Sequence, residues 1–121
     1  MNLTNLYQFN KFDWDAFSKD KEFTMTSCKE WKDFNDGSHM GTDVRVRITK
    51  DDTAYYSKDG ETVTNLYEEL SFKVSNDVQI PVGSKVVPVN PVVSAYGKKQ
   101  NNGWSNYKNQ LSVKCDDIKI I

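Results

Sequence analysis

Strict alternation runs through Val44-Arg45-Val46-Arg47-Ile48-Thr49. In an extended chain Val44, Val46 and Ile48 take one face, and Arg45, Arg47 and Thr49 take the other. The pattern predicts a strand with an apolar inner face and a cationic outer one. From Leu66 to Val74, Leu66, Leu70, Phe72 and Val74 share a face while Tyr67, Glu69, Ser71 and Lys73 share the opposite one, so Tyr67 and Lys73 are expected beside Arg45 and Arg47. A looser alternation from Phe23 to Trp31 predicts an earlier strand. Val86 to Tyr96 predicts a later one, with bulges or an edge expected where Pro88 and Pro91 remove ladder donors. Leu111, Val113 and Cys115 point inward in a fifth, and the chain continues as DDIKII. Between the second and third strands, Asp59-Gly60 is a turn signal in a long hairpin connection that contains Tyr55 and Tyr56. Five short strands with no strong interior helix predict an all-β fold, closed or nearly closed into a small barrel that leaves few sheet edges exposed.

Residues 1–22 do not fit this scheme. Leu3, Leu6, Tyr7, Phe9, Phe12, Trp14 and Phe17 are too apolar for a solvated tail but keep neither period throughout. Asp13 to Lys21 has the makings of a short helix. The segment reads as an N-terminal arm that packs on the barrel of residues 23–121 or on a neighbouring subunit. Its aromatic surplus points to a homo-oligomer, a dimer or tetramer.

Composition changes this picture little. At 121 residues, 37% hydrophobic and 12% aromatic, the chain is one foldable domain. No apolar run has the length of a membrane span, and the N-terminus lacks the basic-then-apolar order of a secretion signal, so a cytoplasmic location is expected. Cys28 and Cys115 are far apart in sequence and fit no zinc or redox spacing, which predicts buried free thiols. Gly37-Ser38-His39-Met40 reads as native loop.

Charge is more informative in its distribution than in its sum of -1. Residues 1–77 hold 15 acids and 10 bases, whereas residues 78–115 hold five lysines and no acid. The C-terminal third is a local cation.

Enzyme chemistry is poorly represented. His39, the single histidine, reads as a solvent-exposed loop residue beside Asp36 and Asp43, without the further partners a metal site needs. Neither a P-loop nor a GxGxxG frame is present. Asp51-Asp52, Glu68-Glu69 and Asp116-Asp117 are sequence neighbours, and neighbours on a strand point to opposite faces, so they read as solvated charge. The chain is expected not to be an enzyme, and neither cofactor nor metal is expected.

The stretch SAYGKKQNNGWSNYKN, residues 94–109, is polar yet carries Tyr96, Trp104 and Tyr107 among Lys98, Lys99 and Lys108. Rings for base stacking and cations for phosphates occur together there, near a strand face with Arg45 and Arg47. A structural alternative is that Trp104 folds back to cap the barrel.

The order VPVNPVVSAYG, a polar Lys/Asn/Trp loop, then YKNQLSVKCDDIKII resembles the second half of phage-encoded single-stranded DNA-binding proteins of the five-stranded OB-fold, over about residues 23–121. The resemblance implies an OB-fold-like barrel that binds single-stranded DNA with little sequence preference during replication or recombination, in the host cytoplasm if phage-encoded. Recombinase or replication proteins would be its partners. It implies Arg45, Arg47, Tyr67 and Lys73 on the binding face, with Trp31, Lys32 and Phe34 from the first loop. Lys98, Lys99, Trp104 and Tyr107 follow from the last loop, to which the residue pattern itself adds Tyr96 and Lys108, and Tyr55 and Tyr56 belong to the hairpin tip. Two departures stand out. SNDVQIPVGSK is too short for the family's helix between strands three and four, and the sequence ends on an apparent strand instead of an acidic tail, so recruitment would use another surface. Two other readings are an OB-like accessory protein of plasmid or conjugative-element replication acting through protein contacts, and a carbohydrate-binding module.

Overall fold

The computed structural model describes residue 3 and residues 12–55, 63–96, 99–100, 103–104 and 110–121. Asp13 opens the single described helix, α1 (Trp14–Ser18), by accepting the Ala16 N–H at 3.1 Å, which satisfies one of the first-turn donors. The helix is shorter than expected because Lys21 already belongs to a strand. It turns its rings onto the core of its own chain. Trp14 stacks on Phe23 with centroids 5.5 Å apart and meets Phe72 edge-on at 5.8 Å, while Phe17 packs against Phe12 and Trp14. These three aromatics therefore add little to any surface for self-association. The remaining aromatics of the segment, Tyr7 and Phe9, lie outside the described residues, as does Leu6.

Strands β1 (Lys21–Lys32), β2 (His39–Asp51) and β3 (Glu69–Val74) form an antiparallel meander. The alternation of residues 44–48 appears as expected: Val44, Val46 and Ile48 are buried, and Arg45 and Arg47 are exposed. β3 starts later than the sequence pattern predicts. Leu66 and Tyr67 form a turn in which Tyr67 adopts a φ of 71° and donates its N–H to Ile48 O at 2.7 Å. Tyr67 is thus displaced from the alternating face, although 66% of it is exposed.

The expected fourth strand is two. β4 (Val86–Val89) and β5 (Val92–Tyr96) break at Asn90, whose φ is 53°, a left-handed conformation that Asn tolerates better than most residues. The fifth divides likewise around Asp116 into β8 (Gln110–Cys115) and β9 (Asp117–Ile120). Between β5 and β8 lie two short strands, β6 (Lys99–Gln100) and β7 (Gly103–Trp104), which pair antiparallel. The main sheet has the order β1-β2-β3-β8-β5, with β3 and β8 parallel, and it is open. β4 pairs with β9 in a second small sheet. That sheet touches β1 through a Thr24–Lys85 bridge and through the Met25 N–H bond to Ser84 O and the Gly83 N–H bond to Met25 O.

The core holds Phe23, Met25, Val44, Val46, Ile48, Phe72, Val74, Val86, Val113 and Cys115, with Trp14 and Phe17 packed against it. Burial pushes the Cys115 thiol up to about 11. Cys28, expected to be buried, is exposed within β1 opposite Val44, and both cysteines are free. Gly41 is fixed by geometry: at a φ of 144°, a Cβ there would lie 1.9 Å from Val74 O. Among the described residues no helix is long and apolar enough to cross a membrane.

Candidate nucleic-acid interface

The outer face of the sheet is built by register. At one level Lys29, Asp43, Lys73, Lys114 and Val92 stand opposite one another across β1, β2, β3, β8 and β5. Arg45 lies between Ser27 and Ser71 at the next level, and Arg47 faces Glu69 beyond it. At the far side Tyr96, 44% exposed, is opposite Gln110. At these levels the face carries five cations, Lys29, Arg45, Arg47, Lys73 and Lys114, against two carboxylates, Asp43 and Glu69, and beyond them Glu22 accepts from Thr49 Oγ1 at 2.7 Å and pairs with Lys85 at 3.0 Å. A chain with a net charge of -1 therefore has one cationic face.

The carboxylates are placed among those cations. Glu69 Oε1 accepts Arg47 Nη2 at 2.5 Å, and Oε2 lies 3.5 Å from Arg45 Nη1. The Arg47 hydrogen bond, with both guanidinium charges, holds the Glu69 carboxyl below its ordinary range. Asp43 stands between Lys29 and Lys73, and its Oδ1 is buried without a hydrogen-bond partner among the described residues.

Aromatic groups lie at the margins. Trp31 is opposite Gly41, and Lys73 Nζ lies 5.7 Å from the Trp31 ring centroid, a cation–π distance. The β1–β2 loop is held by Asp33, whose Oδ1 accepts the Asn35 and Asp36 N–H groups at 2.8 and 3.2 Å, with Gly37 at a φ of 70°. This construction holds Phe34 fully exposed, at 100%. Lys32 is exposed too and pairs with Glu30 at 3.3 Å.

Where β3 and β8 part, beyond their ladder of residues 72–74 and 113–115, a cleft of about 800 Å³ opens. Arg45, Glu69, Ser71, Tyr96 and Gln110 line it. Trp104 pairs with Lys99 on the β6–β7 ribbon between β5 and β8. Lys98, Tyr107 and Lys108 lie outside the described residues, as does Tyr56.

Tyr55 does not belong to this face. Its hydroxyl donates to Asp51 Oδ2 at 2.7 Å and accepts from Asn65 Nδ2 at 2.9 Å, and Lys21 Nζ lies 5.1 Å from its ring centroid. Asp51 and Lys21 are themselves shielded from solvent and 3.4 Å apart. Tyr55 is therefore a structural residue, occupied within the fold instead of displayed at a hairpin tip.

His39 is not a loop histidine either. It begins β2, half exposed, with Nδ1 2.7 Å from Glu30 Oε2 and Nε2 2.5 Å from Asp77 Oδ1. The hydrogen bonds to Glu30 and then to Asp77 raise its pKa. Sequence reasoning missed this contact because Asp77 is remote along the chain. Among the described residues no group of three or more His, Cys, Asp or Glu side chains is placed to hold a metal.

No family model, no curated protein and no solved structure matches this chain.

Proposed function

We propose that this protein binds single-stranded DNA, with little sequence preference, across the outer face of β2 and β3. The observation that carries the reading is one exposed face holding Arg45, Arg47 and Lys73, bordered by Trp31, Phe34 and Tyr96. Cations neutralise phosphates, and exposed rings accept the π-faces of unpaired bases; a single strand offers both ligands together.

Topology supports the same reading. Taking β4 with β5 as one bent strand and β8 with β9 as another, the contacts run β1, β2, β3, β8/β9, β5/β4 and back to β1 through the Thr24–Lys85 bridge. That circuit fits a five-stranded, partly open OB-like barrel. Such barrels bind oligonucleotides on the face of strands two and three and between the loops that follow strands one and four. In this chain those loops are residues 33–38 and the segment carrying β6 and β7.

The test is a titration of intrinsic tryptophan fluorescence with oligo-thymidine and with a duplex of equal length, at two salt concentrations. The expected result is quenching by the single strand at low salt, weaker binding to the duplex, and steep weakening of both as salt rises. No binding to oligo-thymidine at low salt, or binding that ignores salt, would contradict the proposal.

A further inference from the structure

Arginines on an exposed strand face ordinarily extend into water. Here Arg45 and Arg47 converge on one carboxylate, Glu69, which sits directly opposite Arg47 on β3 and is about one-third exposed. A phosphate that reaches these guanidiniums lies close to Glu69 and competes with it for their N–H groups. We propose that Glu69 is a selectivity residue, setting the preference of this face for single strands over duplex. The proposal rests on the single-strand reading above and deepens it.

The two ligands differ in what they return to a displaced carboxylate. An unpaired strand brings base edges with free N–H donors, amino groups on adenine, guanine and cytosine and the ring N3–H on thymine, and the cytosine N4 amine is a standard donor to Glu. Glu69 then exchanges guanidinium donors for base donors while the arginines turn to phosphates. A duplex has no such donors to offer a flat face. The five strands of the main sheet span roughly 19 Å at their ~4.8 Å spacing, too broad for a major groove of about 12 Å. Duplex DNA would therefore rest on the sheet with its phosphates alone, beside a carboxylate left without donors, and that like-charge contact weighs against it. Glu69 thus lowers affinity for the wrong ligand more than for the right one, a recognised route to specificity. The second carboxylate of these levels, Asp43, lies between two lysines two levels away and acts in the same sense.

The experiment uses the full chain and one mixed-sequence labelled oligonucleotide, as a single strand and as its duplex, at low salt. With Glu69→Gln, duplex affinity is expected to rise about tenfold and single-strand affinity less than about threefold, so that selectivity falls. In an Arg45→Gln/Arg47→Gln background the same change should have no such effect, because the displaced contact is gone. Melting curves of each variant establish that it is folded. A wild type that prefers single strands, with Glu69→Gln leaving that preference unchanged or strengthening it, overturns this proposal alone. A wild type that binds neither form overturns the single-strand reading and this proposal together.

Discussion

The C-terminal end of β2 and its middle carry the same chemistry in opposite settings. At the end, Asp51 meets Lys21 in a site closed to solvent, where Lys21 also donates to Phe17 O at 2.8 Å and Thr53 Oγ1 at 2.9 Å. Burial works against the charge on Asp51, but hydrogen bonds from Tyr55, Asn65 and Thr53 prevail and hold its carboxyl well below the usual range. In the middle, Glu69 meets Arg45 and Arg47 on an open face. The first cluster has every group satisfied from within the fold and no access for a ligand. The second is satisfied only by side chains that water, salt or phosphate can displace. Burial, not residue type, separates the ion pair that holds the structure from the one available for binding.

Removing one partner of the closed pair should have the largest effect. Asp51→Ala leaves Lys21 shielded and unpaired and removes the acceptor for Tyr55 and Asn65, so a loss of about 3 kcal/mol of stability is expected in urea denaturation. Oligonucleotide affinity, measured where the variant is folded, should not change. The same cluster sets an acid limit. Because the folded carboxyl is depressed, its contribution is in place above the unfolded value of about 3.9 and is lost as the pH falls through the folded one. Acid unfolding of the wild type should be steeper below about pH 4 than that of Asp51→Ala.

The opposite separation is expected at the loops. Trp104→Ala should leave the melting temperature nearly unchanged while single-strand affinity falls by about 1–3 kcal/mol, with partial recovery in Trp104→Phe. Phe34→Ala should behave in the same way, since its ring has no packing to lose. If Trp104→Ala unfolds the protein, that ring is a cap and belongs with the closed cluster.

The smallest effect concerns His39, which joins the loop end of the β1–β2 hairpin to the segment after β3. Its raised pKa means that its contribution is complete below the unfolded value of about 6.5 and is lost as the pH rises through the folded one. A shallow decline of the melting temperature as the pH rises above that value is expected in the wild type and should be absent in His39→Gln.

The contrast between the two clusters also marks what the sequence discloses. The cationic face of β2 was legible because a period of two over residues 44–49 assigns each side chain to a face without knowledge of its neighbours. Tyr67 was misplaced because the same alternation was carried through a residue of positive φ, for which a tyrosine gives no signal. The break at Asn90 before Pro91 has a local signal, an Asn-Pro pair that favours a turn, whereas the lost donors of Pro88 and Pro91 by themselves imply only bulges or an edge. Tyr55 was read as displayed because its partners, Lys21, Asp51 and Asn65, come together only once β1 and β2 pair and the chain returns toward β3. The two bonds of Glu69 were hidden for a similar reason, since they depend on the β2–β3 register that sets Glu69 opposite Arg47. One-face patterns are local information; clusters that join three segments are not.

The central claim, that the open cluster tracks a phosphate backbone, is tested most directly by the salt dependence of oligo-thymidine affinity in Arg45→Glu/Arg47→Glu. Each phosphate contact on a single strand adds about 0.7 to the slope of log affinity against log salt. The double variant should stay folded, bind more weakly at low salt, and show a slope shallower by about 1.4. A folded double variant with the wild-type slope would contradict the assignment of this face.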